Sequence, residues 1–103
     1  MKILVINTGS SSIKYQLFDM KNKRAMVSGL AEKIGEETSS LQHEVMNENG
    51  VSRTKQEEER IADHRQGLNR IVELLIDPEF GVIRDKSEIT AVGHRVVHGG
   101  ESF

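Results

Sequence analysis

The tightest constraint on this chain is a change of pattern near its start. Ile3-Leu4-Val5-Ile6 is an unbroken apolar run, as expected of a strand buried on both faces. From Ile13 to Phe18 the pattern alternates, with Ile13, Tyr15 and Leu17 on one side and Lys14 and Gln16 on the other. That is a strand with unlike faces. Thr8-Gly9-Ser10-Ser11 lies between them as a hairpin turn. The chain must therefore put a sheet together from its first residues.

Further elements extend that sheet. A second turn at Met20-Lys21-Asn22-Lys23 leads into a strand over Arg24–Ala31, giving a three-stranded meander. Residues 35–60 are polar and Glu-rich, with weaker alternation near Leu41–Met46 and a hairpin signal at Asn49-Gly50. Glu57-Glu58-Glu59-Arg60 reads as a solvated charge run. Ile61, Leu68, Ile71, Val72 and Leu75 form one stripe at helical spacing that stops at Asp77-Pro78, with Gly67 weakening the first half. Ile89–Val97 reads as a final strand entering His98-Gly99-Gly100-Glu101.

Composition removes several function classes. The 103 residues suffice for one domain with a modest core. The formal net charge is −2 and there is no Trp, one Tyr and three Phe. Neither a basic nucleic-acid surface nor a base-stacking platform is expected. The absence of Cys removes disulfides and thiolate metal sites. The N-terminal apolar run ends at Asn7, too short for a signal-peptide core or a membrane span. The expectation is a soluble cytoplasmic protein with no nucleic-acid or membrane partner.

Two segments carry chemistry. If extension begins near Ser10, then Ser10, Ser12 and Lys14 share one strand face, two hydroxyls and an ammonium in a row. Gly9 would allow a tight turn and close approach of an anion to the loop amides. Asn7 adds a neutral oxygen of the kind a hydrated Mg²⁺ accepts. The set suits a polyphosphate, although a plain serine-capped turn with a solvated lysine has the same spelling. It is neither G-x-x-x-x-G-K-[ST] nor G-x-G-x-x-G. In the second segment, Gly93–Glu101, Arg95 sits inside an apolar strand and needs a carboxylate or phosphate partner. Val97 would share its face, so the pair suits a short-chain carboxylate; an internal salt bridge is the alternative. His94 and His98 are four apart, but with no evident third ligand a metal site is weakly supported.

Together "VINTGSSSIKYQLFD" and "AVGHRVVHGGE" resemble the two N-terminal signatures of the acetate kinase family. The resemblance implies an α/β fold: the ribonuclease-H-like N-terminal lobe of the acetate and sugar kinase, heat-shock ATPase and actin superfamily, a mixed sheet with a flanking helix. It implies reversible phosphoryl transfer from ATP to acetate, giving acetyl phosphate and ADP, in a homodimeric parent. Carried over by position, Asn7 would help hold Mg²⁺, while Lys14, Ser10 and Ser12 would serve the nucleotide phosphates. Arg95 and Val97 would hold the carboxylate and methyl of acetate. Residues 1–103 would be the N-terminal part of such an enzyme, with the second lobe and the catalytic residues elsewhere and the piece inactive alone. A propionate or butyrate kinase, or a non-catalytic anion-binding module, are the alternatives.

Overall fold

A computed structural model describes residues 1–96, with side chains for residues 1–94. Among these residues six strands, β1 (Lys2–Thr8), β2 (Ile13–Asp19), β3 (Arg24–Glu32), β4 (Ser39–Asn47), β5 (Gly50–Glu59) and β6 (Ile89–Val96), form one sheet with one α-helix, α1 (His64–Leu75), and a 3-10 turn at Lys86–Glu88 before β6. The order is β5-β4-β3-β2-β1-β6. The first five strands make an antiparallel meander, and β6 pairs in parallel with β1. The segment carrying α1 thus runs from one edge of the sheet to the other. This is the expected mixed sheet with a flanking helix, although the meander has five strands where three stood out in the sequence.

Alternation selects the core. The aligned rows Leu4–Leu17–Val27–Val45 and Ile13–Ala31–Leu41 lie on the face beneath α1. Most of these residues are fully buried, as are Ile71, Leu74 and Leu75 of the helix. Each buried Leu or Ile contributes about 1.5–3 kcal/mol relative to exposure. Ile61 is buried too, but α1 begins only at His64. Asp63 caps it by accepting from the Gln66 amide at 2.9 Å, and the Gln66 side chain accepts from the Ala62 amide at 3.0 Å. These two bonds override the apolar spacing and start the helix at His64, three residues after Ile61, the first residue of the stripe. Gly67 faces the sheet, where an added Cβ would stand 2.9 Å from Ile13 Cδ1. The glycine that weakens the helix locally is what brings it close to β2.

Two other local readings change. Gly50, at φ 115°, pairs with Asn47 as the closing residue, so the β4–β5 loop is Glu48-Asn49 rather than Asn49-Gly50. The acidic run is not simply a solvated face. Glu57 to Glu59 end strand β5, and Glu57 meets Arg70 of α1 in a two-pronged ion pair, Nε–Oε1 2.6 Å and Nη2–Oε2 2.8 Å. This pair ties the helix to the outer edge of the sheet.

Candidate functional site

The β1–β2 hairpin is closed by the Gly9 amide donating to Ser12 O at 2.9 Å, with Ser10-Ser11 as its tip. Regular extension starts at Ile13, not near Ser10. The hydroxyl row expected along a strand face is therefore a loop at the strand's end, with Ser10 exposed and Ser12 half-buried. Gly9 does not have a left-handed backbone; among the described residues that conformation occurs at Lys23, Lys33, Gly35 and Gly50. The Gly9–Ser12 turn is therefore closed without a left-handed glycine at Gly9.

The loop is held from behind. Ser11 O accepts from the Ile34 amide at 3.0 Å, and Gly9 O lies 2.8 Å from His64 Nε2. A carbonyl can only accept, so Nε2 carries the proton. Three loop carbonyls, those of Gly9, Ser11 and Ser12, are engaged by donors within the protein.

Register assembles the rest. Asn7 pairs with Lys14 on one side and with Arg95 on the other. The three positions chosen from separate motifs thus form one row across β2, β1 and β6, separated from the Gly9–Ser12 closure of the hairpin by the Thr8–Ile13 pair. Lys14 is exposed and Asn7 half-buried. Lys14 also borders a shallow groove of about 110 Å³ shared with Ser28, Leu30, Gln42 and Glu44. The site lies at the carboxyl ends of the parallel pair β1 and β6, the end at which α/β sheets bind ligands. His94 Nε2 lies 3.3 Å from Thr8 Oγ1. Among the described residues no three His, Cys, Asp or Glu converge as a metal site. Val97, His98 and Glu101 lie outside the described residues.

On the opposite face β2 is anchored by a buried polar chain. Tyr15 crosses Gly29 to reach His43, Oη to Nδ1 2.6 Å, and His43 Nε2 lies 3.1 Å from Phe80 O. The Phe80 carbonyl requires Nε2–H, which leaves Nδ1 to accept from the phenol. Burial holds His43 below its ordinary pKa and is the largest cause raising that of Tyr15, with Glu57 adding to the latter. Both groups are therefore neutral at pH 7, and β2 is fixed beneath Lys14.

The family model described as "Acetokinase family" matches residues 2–103. The chain belongs to the acetokinase family. It is 54% identical over its whole length to an acetate kinase of Brachyspira hyodysenteriae and 52% identical to one of Treponema denticola, spanning 25% of each. Among solved structures it is similar to Porphyromonas gingivalis acetate kinase, with TM-score 0.81 and 39% identity, covering 99% of this chain and 25% of that one. A propionate kinase from Francisella tularensis follows with TM-score 0.68 and 29% identity, covering 96% of this chain and 23% of that one. The chain thus spans about a quarter of the length of these acetokinase-family relatives. Its sheet and helix are those of the N-terminal lobe in that superfamily. No helix among the described residues is long and apolar enough to cross a membrane.

His64 was not among the residues the sequence pointed to. Its signal was the Asp63-x-x-Gln66 capping pattern, which puts His64 at the first helical position and turns the helix end toward the loop.

Proposed function

We propose that the protein of which this chain is the N-terminal part transfers a phosphoryl group reversibly between ATP and acetate. The carrying observation is the single row of Lys14, Asn7 and Arg95 beside the Ser10-Ser11 tip. In the forward direction an acetate oxygen bonds to the γ-phosphorus while the bond from that phosphorus to the ADP oxygen breaks. Both reactants are anions, so cationic groups and position account for most of the rate. Lys14, with Ser10 and Ser12, would hold the nucleotide phosphates, and Arg95 would take the acetate carboxylate with Val97 against the methyl. A strip three strands wide would then separate the two charges that meet.

Asn7 suits Mg²⁺ in one respect. It supplies a neutral oxygen, which fits an ion that keeps most of its waters and rides on substrate phosphates. Bound there, the ion would offset phosphate charge. No general base or other catalytic group is assigned within this chain. Two features support its being part of a longer enzyme: it spans a quarter of its relatives, and half-buried Ile3, Val5 and Phe18 lie on the sheet face without α1. A cytoplasmic homodimer is the assembly this reading carries.

The test is a pair of variants in the full-length kinase. Arg95→Ala should raise the acetate KM at least tenfold with little change for ATP, and Lys14→Ala should do the reverse. Unchanged acetate kinetics in Arg95→Ala would refute the assignment. The 103-residue chain alone should make no acetyl phosphate in a hydroxamate assay. The propionate kinase likeness keeps a second substrate in play. One valine limits discrimination by a methylene to about 1–3 kcal/mol, so kcat/KM for acetate, propionate and butyrate decides between them. A non-catalytic anion-binding module would instead bind nucleotide with no turnover of any of the three.

A further inference from the structure

The structure assigns His64 as the positioning residue of the Gly9–Ser12 loop: its Nε2–H holds the Gly9 carbonyl and so keeps the loop shaped for nucleotide phosphate. This rests on the reading of Ser10, Ser12 and Lys14 as the phosphate site.

The argument starts from what an anion site must avoid. A backbone loop offers donors and acceptors in equal number, and a carbonyl turned toward a phosphate repels it. Here the carbonyls of Gly9, Ser11 and Ser12 are each taken by a donor of the protein. Two of those donors are backbone amides, Ile34 N and Gly9 N, which no substitution short of proline removes. The Gly9 carbonyl depends on one side chain from 55 residues away in sequence.

Three features put His64 there. The Asp63 cap and the Gln66 side chain fix where α1 begins. Ile34 and Ile61 are buried next to that end of the helix. Gly67, one turn on, lets α1 approach β2 closely enough that a Cβ there would meet Ile13 Cδ1 at 2.9 Å, Ile13 being the first residue after the loop. The helix therefore supplies a fixed donor at 2.8 Å to the Gly9 carbonyl of the loop. His64 acts through Gly9 and does not itself reach the phosphates, so its effect should appear in nucleotide binding and not in acetate binding.

The experiment uses the full-length kinase as wild type, His64→Ala, His64→Leu and His64→Gln, whose side-chain amide places a donor near the Nε2 position. Nucleotide and acetate KM are measured separately, MgADP binding is followed by calorimetry, and thermal midpoints are recorded. Loss of one net hydrogen bond from the loop corresponds to about a three- to tenfold weakening. His64→Ala and His64→Leu should raise the ATP KM and the MgADP Kd by that factor, leave the acetate KM unchanged, and be largely rescued in His64→Gln. A nucleotide KM and Kd unchanged in His64→Ala overturns the inference. So does an equal rise in both KM values with a lowered thermal midpoint, which is what a merely structural role gives. If wild type does not phosphorylate acetate, the functional reading fails, and MgADP binding by the same four proteins still decides the role of His64. Wild type that neither turns over acetate nor binds MgADP overturns both.

Discussion

Gly29→Ala is the substitution whose cost the structure sets most directly. A Cβ built on Gly29 would lie 2.1 Å from Tyr15 Cζ and 2.3 Å from its Oη. No carbon contact of that length exists in a folded protein, and the ring cannot slide aside because its hydroxyl is tied to His43 at 2.6 Å. In an ordinary strand, Gly to Ala gains about 0.5–1 kcal/mol. Here the methyl expels the ring, at about 1–3 kcal/mol for overpacking. It also leaves His43 Nδ1 buried without its donor, about 1–3 kcal/mol more. The net expectation is a loss of about 1–5 kcal/mol. Urea unfolding of the 103-residue chain, followed by far-UV circular dichroism, measures it. Repeating the substitution on Tyr15→Val removes the obstruction, so Gly29→Ala should then be neutral or stabilising, a coupling of at least about 1 kcal/mol. Additivity within about 0.5 kcal/mol would refute the argument. A second readout comes from Tyr15 being the chain's one tyrosine. Its phenol should titrate well above the ordinary value of 10 in the wild type and fall toward it in Gly29→Ala.

Two further predictions concern pH and charge. His43 is held neutral, so the unfolded chain binds more protons below the ordinary value of 6.5. Stability should be fully present above about pH 6.5 and decline below it, a slope that His43→Leu flattens even as it lowers overall stability; an equal slope in the variant would refute the claim. The Arg70 guanidinium, chiefly by hydrogen bonding, holds Glu57 below its ordinary 4.5. That contribution is present above pH 4.5 and lost as pH falls through the lowered value. Glu57→Gln should cost about 1 kcal/mol at pH 7, reduced by salt because the pair is partly exposed; no change in urea midpoint would count against the pair.

Local pattern carried much of this architecture. The unbroken run at Ile3–Ile6 and the alternation at Ile13–Phe18 fall within β1 and β2, although of the run only Leu4 and Ile6 are buried, Ile3 and Val5 on the other face being half-buried. Leu41–Met46 sits inside β4, and the stripe from Leu68 to Leu75 inside α1. Such periods are legible because burial on one face repeats every two or 3.6 residues, whatever the distant partners are. Errors arose where a short-range polar bond outcompeted the period. Asp63 and Gln66 moved the helix start past Ile61, and the Gly9–Ser12 closure moved the start of extension to Ile13. The acidic run looked solvated because nothing local reveals that Glu57 lies within reach of Arg70.

The residue types of the candidate site, Asn7, Ser10, Ser12, Lys14 and Arg95, were all determined by sequence alone, since each follows from a motif within a few positions of itself. Their assembly was not. Only the parallel pairing of β6 with β1 puts Arg95 beside Asn7 across an 88-residue separation, Asn7 to Arg95, and only the docking of α1 brings His64 to Gly9. Backbone pairing and helix packing between distant segments are decided by which faces the whole chain can bury together. A motif spells out what a site is made of; the register of the completed sheet decides what stands next to what.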